Sequence, residues 1–387
     1  MKKRNLRPVS GNQSPFIIMI ILLLIIFQHL PALAASPSED SNLASAAAMK
    51  LVQFCIDPRV GLDTKSVATL ADYVLGAKLS KEADLPKLRN ATGAYYEFDT
   101  RIDFPRFLKY SFNRQIPSVL TSPASLRYSQ WIDQGNSKNI SSICNLYAKD
   151  GQPIVMHGLE HVCITPDLNT GVYYKYDLIK TLILLKHKGR QVLISVSKQT
   201  DVSDVGKKGI ILGSDNDWNY YYSAETGSTK AGLGWVKSYI YDYFSVGVYL
   251  PPNSSSSMVR SGVFSWIRAG WSGINFAETK HVIRGLQRYA RSSKTVLESP
   301  KLPPPNQVAS TYLKLSSLPR NVLDDKYAAL QQARLQLASR KSSIGTSAAK
   351  QENTYNGTSK EQILSELMLE YFKMNLGKPS LLANKNI

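Results

Sequence analysis

Apolar residues recur at helical spacing early in the chain, alternate with polar ones from residue 94 to 102, and alternate again over most of residues 126–268. Successive side chains of a strand point to opposite faces, whereas helix positions three and four apart share one. Residues 43–80 therefore predict helices, one set around Met49, Val52 and Cys55 and a second at Val67, Leu70, Tyr73, Val74 and Leu75. Residues 94–102 predict a half-buried strand, with Tyr96, Phe98, Thr100 and Ile102 on one face and Tyr95, Glu97, Asp99 and Arg101 on the other. Asp103 can cap a short helix, Pro105 suits its first turn, and Phe104, Phe107, Leu108 and Phe112 share a face. A further helical turn is expected at residues 116–120.

From residue 126 the texture is that of strands: 126–132, 154–164, 172–186, 191–197, 210–212, 218–222, 238–250 and 258–268. His187-Lys188-Gly189-Arg190 lies between two β-rich runs and reads as a hairpin turn. Asn275 with Glu278 three residues on has the spacing of a capping box. Beyond it, Val282, Ile283, Leu286, Tyr289, Ala290, Val296 and Leu297 form an apolar stripe, with Lys280, Arg284, Arg288, Arg291 and Lys294 roughly opposite. That pattern predicts one long helix lying on a sheet with a basic face to solvent. Pro300 and Pro303-Pro304-Pro305 predict a stiff linker, followed by amphipathic helices at 321–340 and 359–375 with a polar, disordered stretch at 341–358.

The first 34 residues change the compartment. Lys2, Lys3, Arg4 and Arg7 precede an apolar run at 16–27, and Pro31 and Ala32-Leu33-Ala34 follow it, the layout of a cleavable export leader. The chain is expected to be periplasmic or secreted. Removing those four positive charges lowers the formal net charge from +18 to +14. Outside the cytoplasm such a balance points to an anionic membrane surface or surface polymer rather than to nucleic acid, or simply to solubility. An oxidising compartment also predicts one disulfide among Cys55, Cys144 and Cys163. A Cys144–Cys163 bridge would close a short loop and stabilise by roughly 3 kcal/mol, leaving Cys55 as a buried thiol, although the spacing alone does not settle the pairing.

A strand, two short helices, a run of antiparallel strands and one long amphipathic helix resemble, over residues 91–299, the helix-grip fold of START-like lipid-binding domains. The nearest local likeness is Gly270-Trp271-Ser272-Gly273-Ile274-Asn275 running into the helix. The resemblance implies an α+β fold in which a curved antiparallel sheet wraps the last helix around a cavity for a lipid or other apolar molecule. The chain then divides into a leader (1–34), a helical arm (35–90), the helix-grip domain (91–299), a Pro-rich linker (300–320) and a helical tail (321–387). Trp131, His157, His161, Tyr220, Tyr222, Trp266 and Trp271 are the expected cavity residues, because rings supply apolar wall with an occasional polar tip.

The sharpest catalytic motif is His157-Gly158-Leu159-Glu160-His161, the H-x-x-E-H order of inverted zinc peptidases. That chemistry needs a helix, so that both imidazoles converge on one ion. Gly158 and the flanking Ile154-Val155 and Val162-Cys163-Ile164 favour a strand instead, on which the two positions lie about 13 Å apart. His157 and His161 would then share one face and Glu160 would point the other way. A downstream glutamate ligand is also wanting, since residues 226–277 contain none. No nucleophile elbow is present, and Gly213-Ser214-Asp215-Asn216-Asp217 lacks calcium-loop spacing and reads as a turn. The leading expectation is a cofactor-free binder or carrier of an apolar ligand. A zinc hydrolase using His157, His161 and Glu160, and an envelope interaction module docking through its C-terminal helices, are the alternatives.

Overall fold

Eight strands form one antiparallel sheet in the computed structural model, which describes residues 38–76, 81–132, 142–230, 234–253, 255–340 and 357–382. They are β1 (Glu82–Leu88), β2 (Ala91–Thr100), β3 (Leu126–Ile132), β4 (Ile154–Ile164), β6 (Lys175–His187), β7 (Arg190–Gln199), β12 (Tyr239–Leu250) and β13 (Val259–Gly270). Their order across the sheet is β1-β2-β13-β12-β7-β6-β4-β3, with every neighbouring pair antiparallel. A second sheet holds β5 (Val172–Tyr173), β8 (Lys207–Ile211) and β9 (Tyr220–Thr226), and β10 (Ser228–Lys230) pairs with β11 (Gly234–Val236). Seven α-helices are described: α1 (Glu39–Ile56), α2 (Thr64–Gly76), α3 (Phe104–Phe112), α4 (Thr279–Leu297), α5 (Pro305–Ser316), α6 (Arg320–Arg340) and α7 (Lys360–Asn375). The protein is thus α+β, and none of these helices is long and apolar enough to cross a membrane.

Local chemistry explains several boundaries. Lys188 (φ 48°) and Gly189 (φ 76°) turn β6 into β7, the left-handed pair that a two-residue hairpin favours. Asp103 accepts a hydrogen bond from the Arg106 amide at 2.9 Å and starts α3. Strand β1 falls inside the stretch expected to be a helical arm. Leu85 is its one fully buried apolar residue, and Pro86 is tolerated because the strand lies at the sheet edge, so the alternation was too faint to read. Strand β2 is buried on both faces rather than one: Tyr95 and Glu97 are as covered as Phe98 and Thr100.

Both faces of the sheet are packed. On one, α1 and α2 press against Tyr95, Ile183, Ile194, Val196, Val246, Val248, Phe264 and Trp266. Ala44 and Ala48 are fully buried in α1 and let that helix lie close to the strands. Gly93 has a specific role here, since a Cβ would stand 2.4 Å from the Trp266 Nε1, which donates to the Pro86 carbonyl at 3.0 Å. On the other face, α3, the end of α4 and the helices α5–α7 cover Leu182, Leu184, Leu193, Tyr249 and Val259, together with Tyr220 and Tyr222 of the second sheet. The arm-like helices at the start are therefore part of the core.

The C-terminal third differs most from the reading of its sequence. The proline run ends in α5 rather than continuing as a linker, because a proline in the first turn of a helix needs no amide partner. Val308, Ala309 and Leu315 of α5 are buried, as are Leu323, Tyr327 and Leu330 of α6 and Ile363, Leu364, Leu367, Met368 and Phe372 of α7. The apolar faces of these helices are largely buried inside the molecule, with Leu313 of α5 left 48% exposed. The stretch expected to be a leader, 1–34, and residues 341–356 of the polar stretch expected at 341–358 lie outside the described residues. The disulfide expected among the cysteines is not formed: Cys55, Cys144 and Cys163 are buried thiols. Burial pushes Cys55 up to about 11, which leaves it an unreactive core residue.

Candidate functional site

The H-x-x-E-H segment is strand β4, so the helical convergence a zinc peptidase requires does not form. His157 pairs across to Thr181, and its Nδ1 lies 2.8 Å from the Thr181 hydroxyl, with Phe54 of α1 edge-on at 5.5 Å. Burial lowers its basicity and favours the neutral ring. His161 pairs across to Asp177, with Nδ1 2.5 Å from Oδ1. The two histidines fall on one face of the strand by alternation, and each is occupied by a different neighbour. Glu160 points the opposite way, accepting from Lys180 Nζ at 2.6 Å, and that ammonium lies 5.3 Å from the Trp131 ring centre. Among the described residues no group of three or more His, Cys, Asp or Glu side chains is placed to hold a metal ion.

The expected aromatic cavity residues are dispersed. Trp266 lies in the α1–α2 core, stacked on Phe244 at 5.2 Å. Tyr222 lies across the sheet from it, with the Arg127 guanidinium 3.9 Å above its ring. Tyr220 donates to Asp215 at 2.9 Å and accepts from Arg288 at 3.2 Å. Trp131 sits near the β3 edge, and Trp271 stacks on Phe276 at 3.7 Å in the turn that leads into α4. These rings fill two cores, an edge and a turn, and none of them lines the groove beside α4.

That groove is open to solvent, has a volume of about 910 Å³ and runs between β2 and the C-terminal half of α4. Its floor is Tyr96, Phe98 and Ala290, and its far wall is Leu376 and Lys378, where the chain leaves α7. Alternation in β2 turns Tyr96 and Phe98 towards α4, where the Phe98 ring meets Tyr289 edge-on at 5.8 Å. Arg291, Lys294 and Lys378 rim it, and Glu298 is the acidic residue among them. Glu298 is already engaged: the Arg101 amide donates to it at 3.0 Å, and Lys294 approaches it at 3.6 Å. Lys294 also donates to the Asp99 carbonyl at 2.7 Å, fixing α4 to β2. Lys378 donates to the Asn216 carbonyl at 2.8 Å over the Trp218 ring, and burial lowers its pKa. An aromatic floor below a cationic rim can hold an apolar chain by burial and an anionic group by charge.

The helix over this groove spans the expected residues, but its start and its basic face differ from the pattern. The amide of Glu278 donates to His281 Nδ1 at 3.2 Å at the start of α4. Asn275 serves the preceding turn instead, accepting from the amides of Ala269 and Ala277. Arg288 is buried rather than solvated: it forks onto Asp215 at 2.8 and 2.5 Å and donates to the Pro166 carbonyl at 3.0 Å. Burial alone would raise the Asp215 carboxyl, but that fork holds it below its usual range. The Asp215 loop is thus a short 3-10 turn that docks α4.

No protein-family model matches the chain, and no curated protein sequence matches it. The groove residues Tyr96, Phe98, Arg291 and Lys294 each stood in a legible pattern, one strand face and one helix face. What brings them together with Lys378 is the docking of α7, which no local pattern encodes.

Proposed function

We propose that this protein binds an amphiphilic molecule, an apolar chain with an anionic end, in the groove between β2 and α4, and that it does so outside the cytoplasm. The observation that carries the reading is the groove itself: about 910 Å³ over Tyr96 and Phe98, rimmed by Arg291, Lys294 and Lys378. That volume lies in the range of small-molecule sites, about 300–1,000 Å³. We read α4 lying along β2, with the groove between them, as a version of the helix-grip arrangement of START-like domains. The covering of the opposite face by α1 and α2 and the three helices after α4 are additions to that plan. The leader-like layout of residues 1–34 in the sequence supports the compartment.

Native mass spectrometry of the purified protein, with metal analysis of the same sample, tests this. The expected result is a lipid-sized adduct on the wild type that is lost in Thr295→Trp, where an indole from an exposed groove residue fills the space. An adduct retained by that variant would contradict the site. One zinc per chain, lost in His157→Ala, would contradict the reading as a whole.

A further inference from the structure

The turn between β13 and α4 is a separate feature with its own chemistry. Ile274 is 55% exposed and Phe276 37%, both large apolar residues, and Trp271 stacks on Phe276 beside them. The turn leaves Ile274 outermost, with Phe276 and the half-buried Trp271 beside it. Gly270 is required because a Cβ there would stand 2.2 Å from the Ile274 carbonyl oxygen and 2.7 Å from the Phe276 ring. Ser272 (φ 51°) and Gly273 (φ 77°) reverse the chain in the left-handed region. The Gly273 amide donates to the Tyr241 hydroxyl at 2.8 Å, and Asn275 donates to the Asn90 carbonyl at 3.2 Å. The apolar tip is thereby fixed to the ends of β12 and of the β1–β2 hairpin.

The surroundings of the tip are basic. The Arg268 guanidinium lies 5.1 Å from the Tyr241 ring centre, Arg89 stands 3.9 Å from Asp242, and Lys280 pairs with Glu278 at 2.6 Å. Arg284 is exposed one turn further along α4, and Lys87 is exposed on β1. Cations outnumber acids around a tryptophan, a phenylalanine and an isoleucine.

We infer that the tip formed by Trp271, Ile274 and Phe276 docks this protein onto an anionic lipid bilayer. The apolar side chains enter the headgroup–acyl boundary and the surrounding arginines and lysines meet lipid phosphates. Tryptophan is well suited to that depth because its ring is apolar with one polar N–H. Each basic residue close to an anionic leaflet contributes attraction that salt weakens. Two copies of this tip would bring like charges together, which disfavours self-association through it. This inference concerns the end of α4 away from the groove and stands whether or not the groove binds a ligand.

Co-sedimentation of the purified protein with vesicles of phosphatidylcholine, alone or mixed with phosphatidylglycerol, tests it. Binding is expected to the mixed vesicles and to weaken as salt is raised. Ile274→Asp changes an exposed side chain and is expected to weaken binding about tenfold. Arg284→Ala is expected to weaken it about fivefold. Failure of the wild type to bind, equal binding to both vesicle types, or unchanged binding of Ile274→Asp would each overturn the inference. So would concentration-dependent dimerisation abolished by Ile274→Asp, which would make the tip an interface between copies.

Discussion

The two faces of the eight-stranded sheet are covered by different means. Against α1 and α2 the contact is mainly apolar, with Asp72 of α2 meeting His187 at 2.8 Å and Lys188 at 2.7 Å at its rim. Glu97 is a carboxyl sealed inside it, accepting from the Tyr95 hydroxyl at 2.8 Å. Across the sheet, α6 and α7 are fixed by charge. Glu366 accepts from Arg127 of β3 at 2.8 Å and from Arg334 of α6, with Gln362 at 3.0 Å, and all three charged side chains are nearly inaccessible. Beside them Lys373 donates to Glu370 at 2.8 Å and to Asn219 at 2.6 Å. Apolar surfaces tolerate small slides, whereas a buried ion pair fits in one register only. The first two helices are placed mainly by burial, with charge only at the rim, whereas α6 and α7 add directional pairs sealed within the apolar contact.

The largest expected effect is on the charged face. Glu366→Ala leaves two arginines buried without their acceptor and is expected to cost about 3–5 kcal/mol in urea unfolding. Replacing Arg127, Arg334 and Glu366 together by apolar residues of similar volume is expected to recover most of that loss. The network would then set register rather than net stability. If the triple variant is as unstable as Glu366→Ala, the contrast between the faces is wrong.

Acid should separate the faces next. Burial would raise the Glu366 carboxyl, but Arg127 and Arg334 hold it at about 2, below its usual 4.5. A lowered native pKa means that its contribution is present above about pH 4.5 and is lost as pH falls towards 2. Glu97 has the opposite sign, because burial raises it, so its contribution is present in acid and is lost as pH rises through its native value. Glu97→Gln is therefore expected to stabilise at neutral pH and to have little effect in acid. Thermal melts of both variants from pH 3 to pH 8 would show this crossing, and parallel curves would refute it. The smallest effect is expected from Ile194→Val under α1, about 1 kcal/mol in the same melts.

Most of the strands were legible because β-branched residues and short period-2 runs decide them locally, as at Ile154–Ile164 and in the Lys188-Gly189 hairpin. The role of charge was not. Arg288 and Glu366 look like solvated helix residues in any window, and only their distant partners Asp215 and Arg127 make them internal. Aromatic content likewise named Trp266 and Tyr222 as cavity residues, when rings of that size are what a two-faced core needs. A cavity beside the long helix was expected, but its lining was not legible, because its walls come from β2, α4 and the end of α7, more than 270 positions apart from Tyr96 to Lys378.

Photolabelling with a diazirine-bearing long-chain fatty acid, followed by peptide mapping, tests the central claim most directly. Label should concentrate on the peptides carrying Phe98 and Thr295 and fall when Thr295 is changed to Trp. Label on the α1–α2 face, or labelling that Thr295→Trp leaves unchanged, would contradict a ligand site between β2 and α4.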